Sequence, residues 1–332
     1  MGSDIHGQVR ALEEKYPDIY ACVDPARVAA QQGQAAAGTS AVPDDFGASS
    51  VGGRGESYVV AQQSTRTRAQ GIGRLMDIVT GHSRAESKVL IDLLGGDGLV
   101  NRVVTLLERD ELQIVTCDAS PFMVQEAWAQ GIPALLQRAE SMLFRTGSVG
   151  AVMLAYGSHH IPRALRRTVA EEAFRVVQPG GVFVLHDFLA GSPVDTWFSK
   201  VVDVYAATGH DLPHFERDET LGYLSDAGFA DVELVLMDDP FIVWGLTEEG
   251  AELELGRYLV DMYGLVGLVQ ELGEQGAYRR AFELASDIFR YEGSDGRYDA
   301  VRAQYDEVTA TWSMTMPRQA LVVFGRKPLS RP

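Results

Sequence analysis

The sequence predicts an α/β protein built on an open, mostly parallel sheet with helices on both faces. Apolar runs of strand length alternate with helical stretches from Lys88 onward, the pattern of β–α units. The segment "VLIDLLGGDGLV" at 89–100 ends such a strand in a glycine turn and opens a helix. "QPGG" at 178–181 turns the chain into another apolar strand, "VFVLHDF".

Taken in order, residues 4–32 read as helix interrupted by Pro17 and Pro25. The Gly-, Ala- and Ser-rich stretch at 33–57 reads as a loop, and a helix follows over 58–80. Strands are expected at 88–94, 113–118, 133–137, 150–156 and 181–187, with helices at 98–109, 120–130 and 163–178. Further helices fit 194–208 and 217–227, ahead of the strand "DVELVLM" at 231–237. The next strand, "ALVVFGRKP", comes only at 320–328, and the residues between read mainly as helix. The expected units are a helical N-terminal cap (1–85), a core (86–239), a helical insertion (240–315) and a last strand with its tail (316–332).

A chain of 332 residues with 46% hydrophobic and 23% charged residues fits a soluble globular protein. No apolar stretch is long enough to cross a bilayer, and the first residues lack a signal peptide's hydrophobic core. Cys22 and Cys117 make no disulfide framework, so a reduced, cytoplasmic protein is the simplest reading. A net charge of −17 argues against nucleic acid and anionic membranes as partners.

Gly95, Gly96 and Gly98 let a ligand approach the backbone, and the helix after them aims its N–H groups at the same place. Asp118 ends the second strand 20 residues beyond Gly98, where a carboxylate can accept both hydroxyl protons of a ribose. The alternative for Asp118 is a helix N-cap. The nicotinamide fingerprint G-x-G-x-x-G is not met after Gly95.

The ordered strings "VLIDLLGGDG", "TCD", "AESMLFRTGSVGAVMLAYGSHHI", "EEAFRVVQPGGVFVLHDF", "LSDAGFADVEL" and "VVFGRKP" resemble class I S-adenosylmethionine (SAM)-dependent methyltransferases. They resemble most closely the branch of the ubiquinone and menaquinone C-methyltransferases. The resemblance covers about 86–239 and 318–328. It implies a Rossmann-like sheet of seven strands, the last antiparallel, with the insertion lying before that strand. It implies SAM as cofactor, S-adenosylhomocysteine as product, and Asp92, Gly95, Gly96, Gly98 and Asp118 around the cofactor, with Glu140 near the adenine amino group. Leu94 stands at the usual first glycine, Arg138 at an acid that often follows strand three, and Gly150 at a common Asp.

Methyl transfer needs a nucleophile held in line with the methyl–sulfur bond, and a base when the acceptor must lose a proton. "AYGSHHIP" follows strand four, at the sheet end where this fold binds ligands, so Tyr156, His159 and His160 are catalytic candidates. His186, at the end of strand five, is another, against a structural reading as a loop hydrogen-bonding group. His210 and His214 add two more, against a reading as loop structure; Pro213 disfavours a regular helical chelating pair, no third ligand is evident, and no metal is expected. Trp197 and Tyr205 either line an aromatic acceptor pocket or pack the core.

The function expected is methylation of a small molecule in specialised metabolism, by C-methylation of an aromatic or activated ring. The alternatives are O- or N-methylation, and a SAM-bound pericyclase-like or binding protein that transfers no methyl. The insertion serves either as packing or a homodimer contact, or as a wall over the acceptor.

Overall fold

Seven strands in the order β3-β2-β1-β4-β5-β10-β6 form the central sheet of the computed structural model, which describes residues 5–36, 46–47, 55–206, 212–291 and 300–329. The parallel strands are β1 (Val89–Leu93), β2 (Gln113–Asp118), β3 (Ala134–Leu136), β4 (Val149–Leu154) and β5 (Val177–Asp187). β10 (Gln319–Arg326) runs antiparallel between β5 and β6 (Ala230–Asp238). β1 and β4 are buried along their whole length, as strands covered on both faces must be. The sequence expectation of a mostly parallel, seven-stranded α/β sheet agrees with this order.

Helices α6 (Leu99–Leu106), α7 (Pro121–Ala129), α8 (Arg163–Val176) and α11 (Arg217–Ala227) link the strands. The N-terminal region forms α1 (Ile5–Lys15), α2 (Pro17–Cys22) and α3 (Pro25–Ala36), broken where the prolines stand. The single helix expected at 58–80 is two, α4 (Gly55–Gln62) and α5 (Thr65–His82). α5 buries Arg68, Ile72, Leu75, Met76 and Val79, an i, i+4, i+7 stripe with a cation at its head.

The stretch before β10 is not helix alone. It holds α12 (Glu248–Tyr263) and α13 (Val266–Ile288, interrupted at Gly273), together with β7 (Phe241–Gly245), β8 (Arg302–Asp306) and β9 (Thr311–Met316). These strands form a second, antiparallel sheet in the order β7-β9-β8. "TWSMTM" alternates with period two, a strand signal that a helical reading of the region passes over. Buried side chains of α12, β7 and β9 join one apolar cluster with those of α5, β4 and β5, so the additional layer is part of the core.

Candidate functional site

The glycine turn after β1 is shaped by close contacts rather than by side chains. Gly96 and Gly98 have positive φ (58° and 87°), and Leu94, in the place of the usual glycine, has φ 55°. A left-handed leucine is costly, about 1–2 kcal/mol, so the loop keeps its glycine-like path against its own sequence. A Cβ on Gly95 would lie 2.5 Å from Asp92 Oδ2. Asp92 is buried, and its Oδ2 has no hydrogen-bond partner. Burial, reinforced by the charge of Asp118 and opposed by Arg68, pushes the Asp92 carboxyl up to about 8. A buried acceptor beside a backbone cradle fits the ammonium of the amino-acid end of SAM.

Asp118 accepts the Gly96 amide on Oδ2 at 2.9 Å and the Ser120 amide on Oδ1 at 2.8 Å. It thereby ties the glycine turn to the start of α7. The N-cap is Ser120, whose hydroxyl accepts the Met123 amide, so the capping alternative for Asp118 falls to its neighbour. Carboxylate oxygens carry further lone pairs for a ribose. Glu140 is held in an ion pair by Arg138, the residue that replaces the expected acid. Gly150, at the other departure, has no room for a side chain: a Cβ there would lie 2.1 Å from the Ser87 carbonyl oxygen.

Beyond β4 a cavity opens, lined by Tyr156, His159 and His160 from that strand's exit. Phe188 and Phe198 follow from the β5 side, Phe241, Met262 and Tyr263 from β7 and α12, and Arg318 from the approach to β10. Phe46, Tyr58 and Arg68 close it from the N-terminal region. The Tyr58 ring lies 3.6 Å from where a Gly96 Cβ would stand, so the glycine turn and the cavity share a wall.

The histidines divide sharply. His160 is half-buried, lines the cavity and meets the Phe46 ring edge-on at 5.3 Å. His159 is buried, with Nδ1 2.9 Å from both oxygens of Asp187, and its amide donates to the same carboxylate at 2.8 Å. Burial opposes ionisation of Asp187, but His159 outweighs it and holds the carboxyl well below the usual range. His214 is buried with Nδ1 2.5 Å from Asp195 Oδ1. Among the described residues, His159, Asp187 and His214 bring one potential ligand atom each to within 4.8 Å of one another. His210 lies outside the described residues.

His186 is fully buried beneath Tyr156, whose amide donates to its Nδ1 at 3.3 Å. It faces Asp239 at 3.5 Å and is absent from the cavity wall, which favours the structural alternative. Tyr156 has φ 63° and donates its hydroxyl to Asp239 Oδ1 at 3.1 Å. Burial and then the Asp239 charge push that phenol well up, so it stays a neutral donor. Trp197 packs on Tyr263 and Phe289 and lies outside the cavity lining, as does Tyr205: for both, the core-packing alternative prevails.

Sequence reasoning missed a buried polar cluster beside the cavity. Arg318 pairs with Asp239 through both side chain and backbone and stacks 3.7 Å above the Phe241 ring. Burial opposes ionisation of Asp239, but the Arg318 charge outweighs it and holds the carboxyl at about 2. Arg68 lies 3.8 Å above the Tyr156 ring, and its Nε is buried with no hydrogen-bond partner. Arg68 could have been found from its place on the apolar stripe of α5; nothing local marks Asp239 or Arg318.

Residues 92–185 match the family model described as a methyltransferase domain. A comparison with curated proteins gives no match. Among solved structures, the chain is similar to phosphoethanolamine N-methyltransferase 2 of Haemonchus contortus, complexed with phosphomonomethylethanolamine and S-adenosylhomocysteine (14% identity, 78% of this chain and 52% of that one, TM-score 0.47). It is also similar to the YcgJ protein of Bacillus subtilis (16% identity, 77% and 98%, TM-score 0.44). A third is geranyl diphosphate C-methyltransferase of Streptomyces coelicolor (13% identity, 77% and 78%, TM-score 0.41). The domain match spans the glycine turn and β2 to β4 of this sheet and ends within β5.

Proposed function

We propose that this protein is a SAM-dependent methyltransferase that methylates a small molecule of specialised metabolism at carbon, on an aromatic or otherwise activated ring. The observation that carries the proposal is the aromatic cavity at the exit of β4, sharing the Tyr58 wall with the glycine turn and presenting His160. Asp92 and the glycine turn hold the amino-acid end of SAM, Asp118 the ribose, and Glu140 the adenine side. Bound SAM supplies an electrophilic methyl group, which passes to the acceptor carbon while the C–S electrons return to sulfur.

The chain's own part is positioning, drying and proton removal. Phe188, Phe198, Phe241 and Tyr263 press on the faces of a flat acceptor and exclude water. His160 takes the proton that the ring carbon or its activating hydroxyl releases. Of the two neighbouring histidines it is the better placed, because His159 is committed through Nδ1 and its amide to Asp187. The branch resemblance supports carbon as the site of methylation.

The test is single-turnover assay of phenols, enolisable ring compounds, alcohols and amines, with S-adenosylhomocysteine release and product mass read together. A carbon-methylated product from the ring compounds is expected. Methyl transfer only to oxygen or nitrogen overturns the carbon assignment, and acceptor conversion without S-adenosylhomocysteine overturns methyl transfer.

A further inference from the structure

We propose that His159, Asp187 and His214 form a binding site for a divalent transition-metal ion beside the acceptor cavity, with Asp195 as its supporting carboxylate. Two imidazoles and one carboxylate are a donor set that Zn²⁺ and Fe²⁺ accept, leaving other coordination positions open. The three side chains come from distant parts of the chain: the exit of β4, the last residue of β5 and the lead into α11. All are buried, at 3%, 0% and 5% exposure, and their ligand atoms lie within 4.8 Å of one another.

The surroundings hold these groups in place. Arg166, itself buried, donates to the His159 carbonyl at 3.3 Å and to the Pro213 carbonyl at 3.1 Å, clamping the two histidine-bearing segments together. The Phe215 amide donates to the Phe188 carbonyl at 3.1 Å, and the Ala190 amide to the Phe215 carbonyl at 3.0 Å, fixing His214 against the end of β5. Asp195 occupies His214 Nδ1, so Nε2 is the nitrogen offered to the cluster. A carboxylate on the far nitrogen fixes the tautomer that a metal-binding histidine needs. Local spacing hides this site, because the companions of His214 come from the turn after β4 and the end of β5.

His159 also lines the cavity, so an ion here meets an oxygen of the acceptor. It would polarise a hydroxyl or enol and lower the cost of removing its proton, which passes to His160. That role rests on the methyl-transfer reading; the binding of the ion does not.

Tag-free full-length protein, stripped with chelator and dialysed, is titrated with Co²⁺ and then with Zn²⁺. One Co²⁺ per chain is expected, with a visible d–d band that Zn²⁺ abolishes. His214→Ala and Asp187→Asn should lose the band, and Asp195→Asn should weaken binding about 10- to 100-fold. His160→Ala should keep it. SAM affinity, read by calorimetry, should hold in all four and serves as the folding control for variants that lose the band. Absence of one-to-one binding, or a band unchanged in both His214→Ala and Asp195→Asn, overturns the site. Undiminished methyl transfer by metal-free protein overturns its role. Metal bound without methyl transfer to any acceptor leaves the site standing and refutes the functional reading instead.

Discussion

The two halves of the sheet's ligand-binding edge are built by different means. Over β1 and β2 the backbone does the work: three glycines in four residues, with one carboxylate stitching the turn at 2.9 and 2.8 Å. Over β4, β5 and β6 the work falls to side chains: stacked guanidiniums, an aromatic wall and histidines held by aspartates. A cofactor common to many reactions can be met by a fixed backbone cradle. An acceptor peculiar to one reaction calls for side chains, and the proposed acceptor cavity draws them from the N-terminal region and from the layer before β10. The contrast says where damage should fall: chemistry on the second half, SAM affinity on the first.

The largest expected effect tests the second half. His160→Ala should lower the single-turnover rate about 100- to 10,000-fold if His160 takes the proton. SAM affinity should stay unchanged, since the residue lines the cavity beyond β4. A near-normal rate across pH 5.5–9 would leave positioning as the sole catalytic device of that half.

Asp118→Ala tests the first half and should do the reverse. Losing a charged acceptor should cost about 1.5–3 kcal/mol of SAM binding, roughly ten- to hundredfold in Kd. The same carboxylate holds the Gly96 and Ser120 amides, so thermal unfolding must be followed beside calorimetry. An unaltered Kd in a folded variant would remove Asp118 from the cofactor site.

A finer probe of the first half is Asp92, held at about 8 by burial and then by the Asp118 charge. Its folded value lies above the unfolded carboxylate value near 4. The stabilisation this gives the SAM-free protein is therefore complete below about pH 4 and lost as pH rises through about 8. An ammonium beside Asp92 favours the ionised form, so SAM binding at pH 7 should expel close to one proton. Its affinity should fall nearly tenfold between pH 7 and pH 6. Calorimetry in buffers of different ionisation enthalpy reads the proton, and Asp92→Asn should abolish both effects. Proton release unchanged in that variant would place the ammonium elsewhere.

The same contrast explains what the sequence could tell. The sheet was legible because buried strands are apolar runs between turns, and β2 and α11 fall on the expected residues. The turn at Gly95, Gly96 and Gly98 was legible because its residues are neighbours in the chain, and Asp118 because it ends the next strand. The acceptor half was not, because its groups meet only in space: Asp187 with His159 across 28 residues, Asp239 with Arg318 across 79. Trp197 and Phe198 are adjacent and both buried, yet of the two Phe198 alone lines the cavity, a difference set by the turn of the helix between them. The second sheet was missed because β8 is short and partly exposed, and the period-two signal of β9 follows a long helical stretch.

The smallest expected effect asks to which half the layer before β10 belongs. Tyr263 closes α12, is 7% exposed, and stands edge-on to Phe198 at 5.5 Å and tilted against Trp197 at 5.7 Å. It therefore reaches the cavity from a helix that follows the sixth strand of the main sheet in the chain. Tyr263→Leu removes an aromatic face while keeping much of the volume. Aromatic pairings of this kind are worth about 0.5–1.5 kcal/mol, so acceptor KM should rise roughly two- to tenfold. SAM Kd, read on the same protein by calorimetry, should not move, because the proposed cofactor anchors, Asp92 and Asp118, lie on β1 and β2. Equal losses in both would mean that Tyr263 props the sheet as a whole. A rise in acceptor KM alone makes the added layer a specificity wall, and it makes α12 the place to look for residues that choose between acceptors.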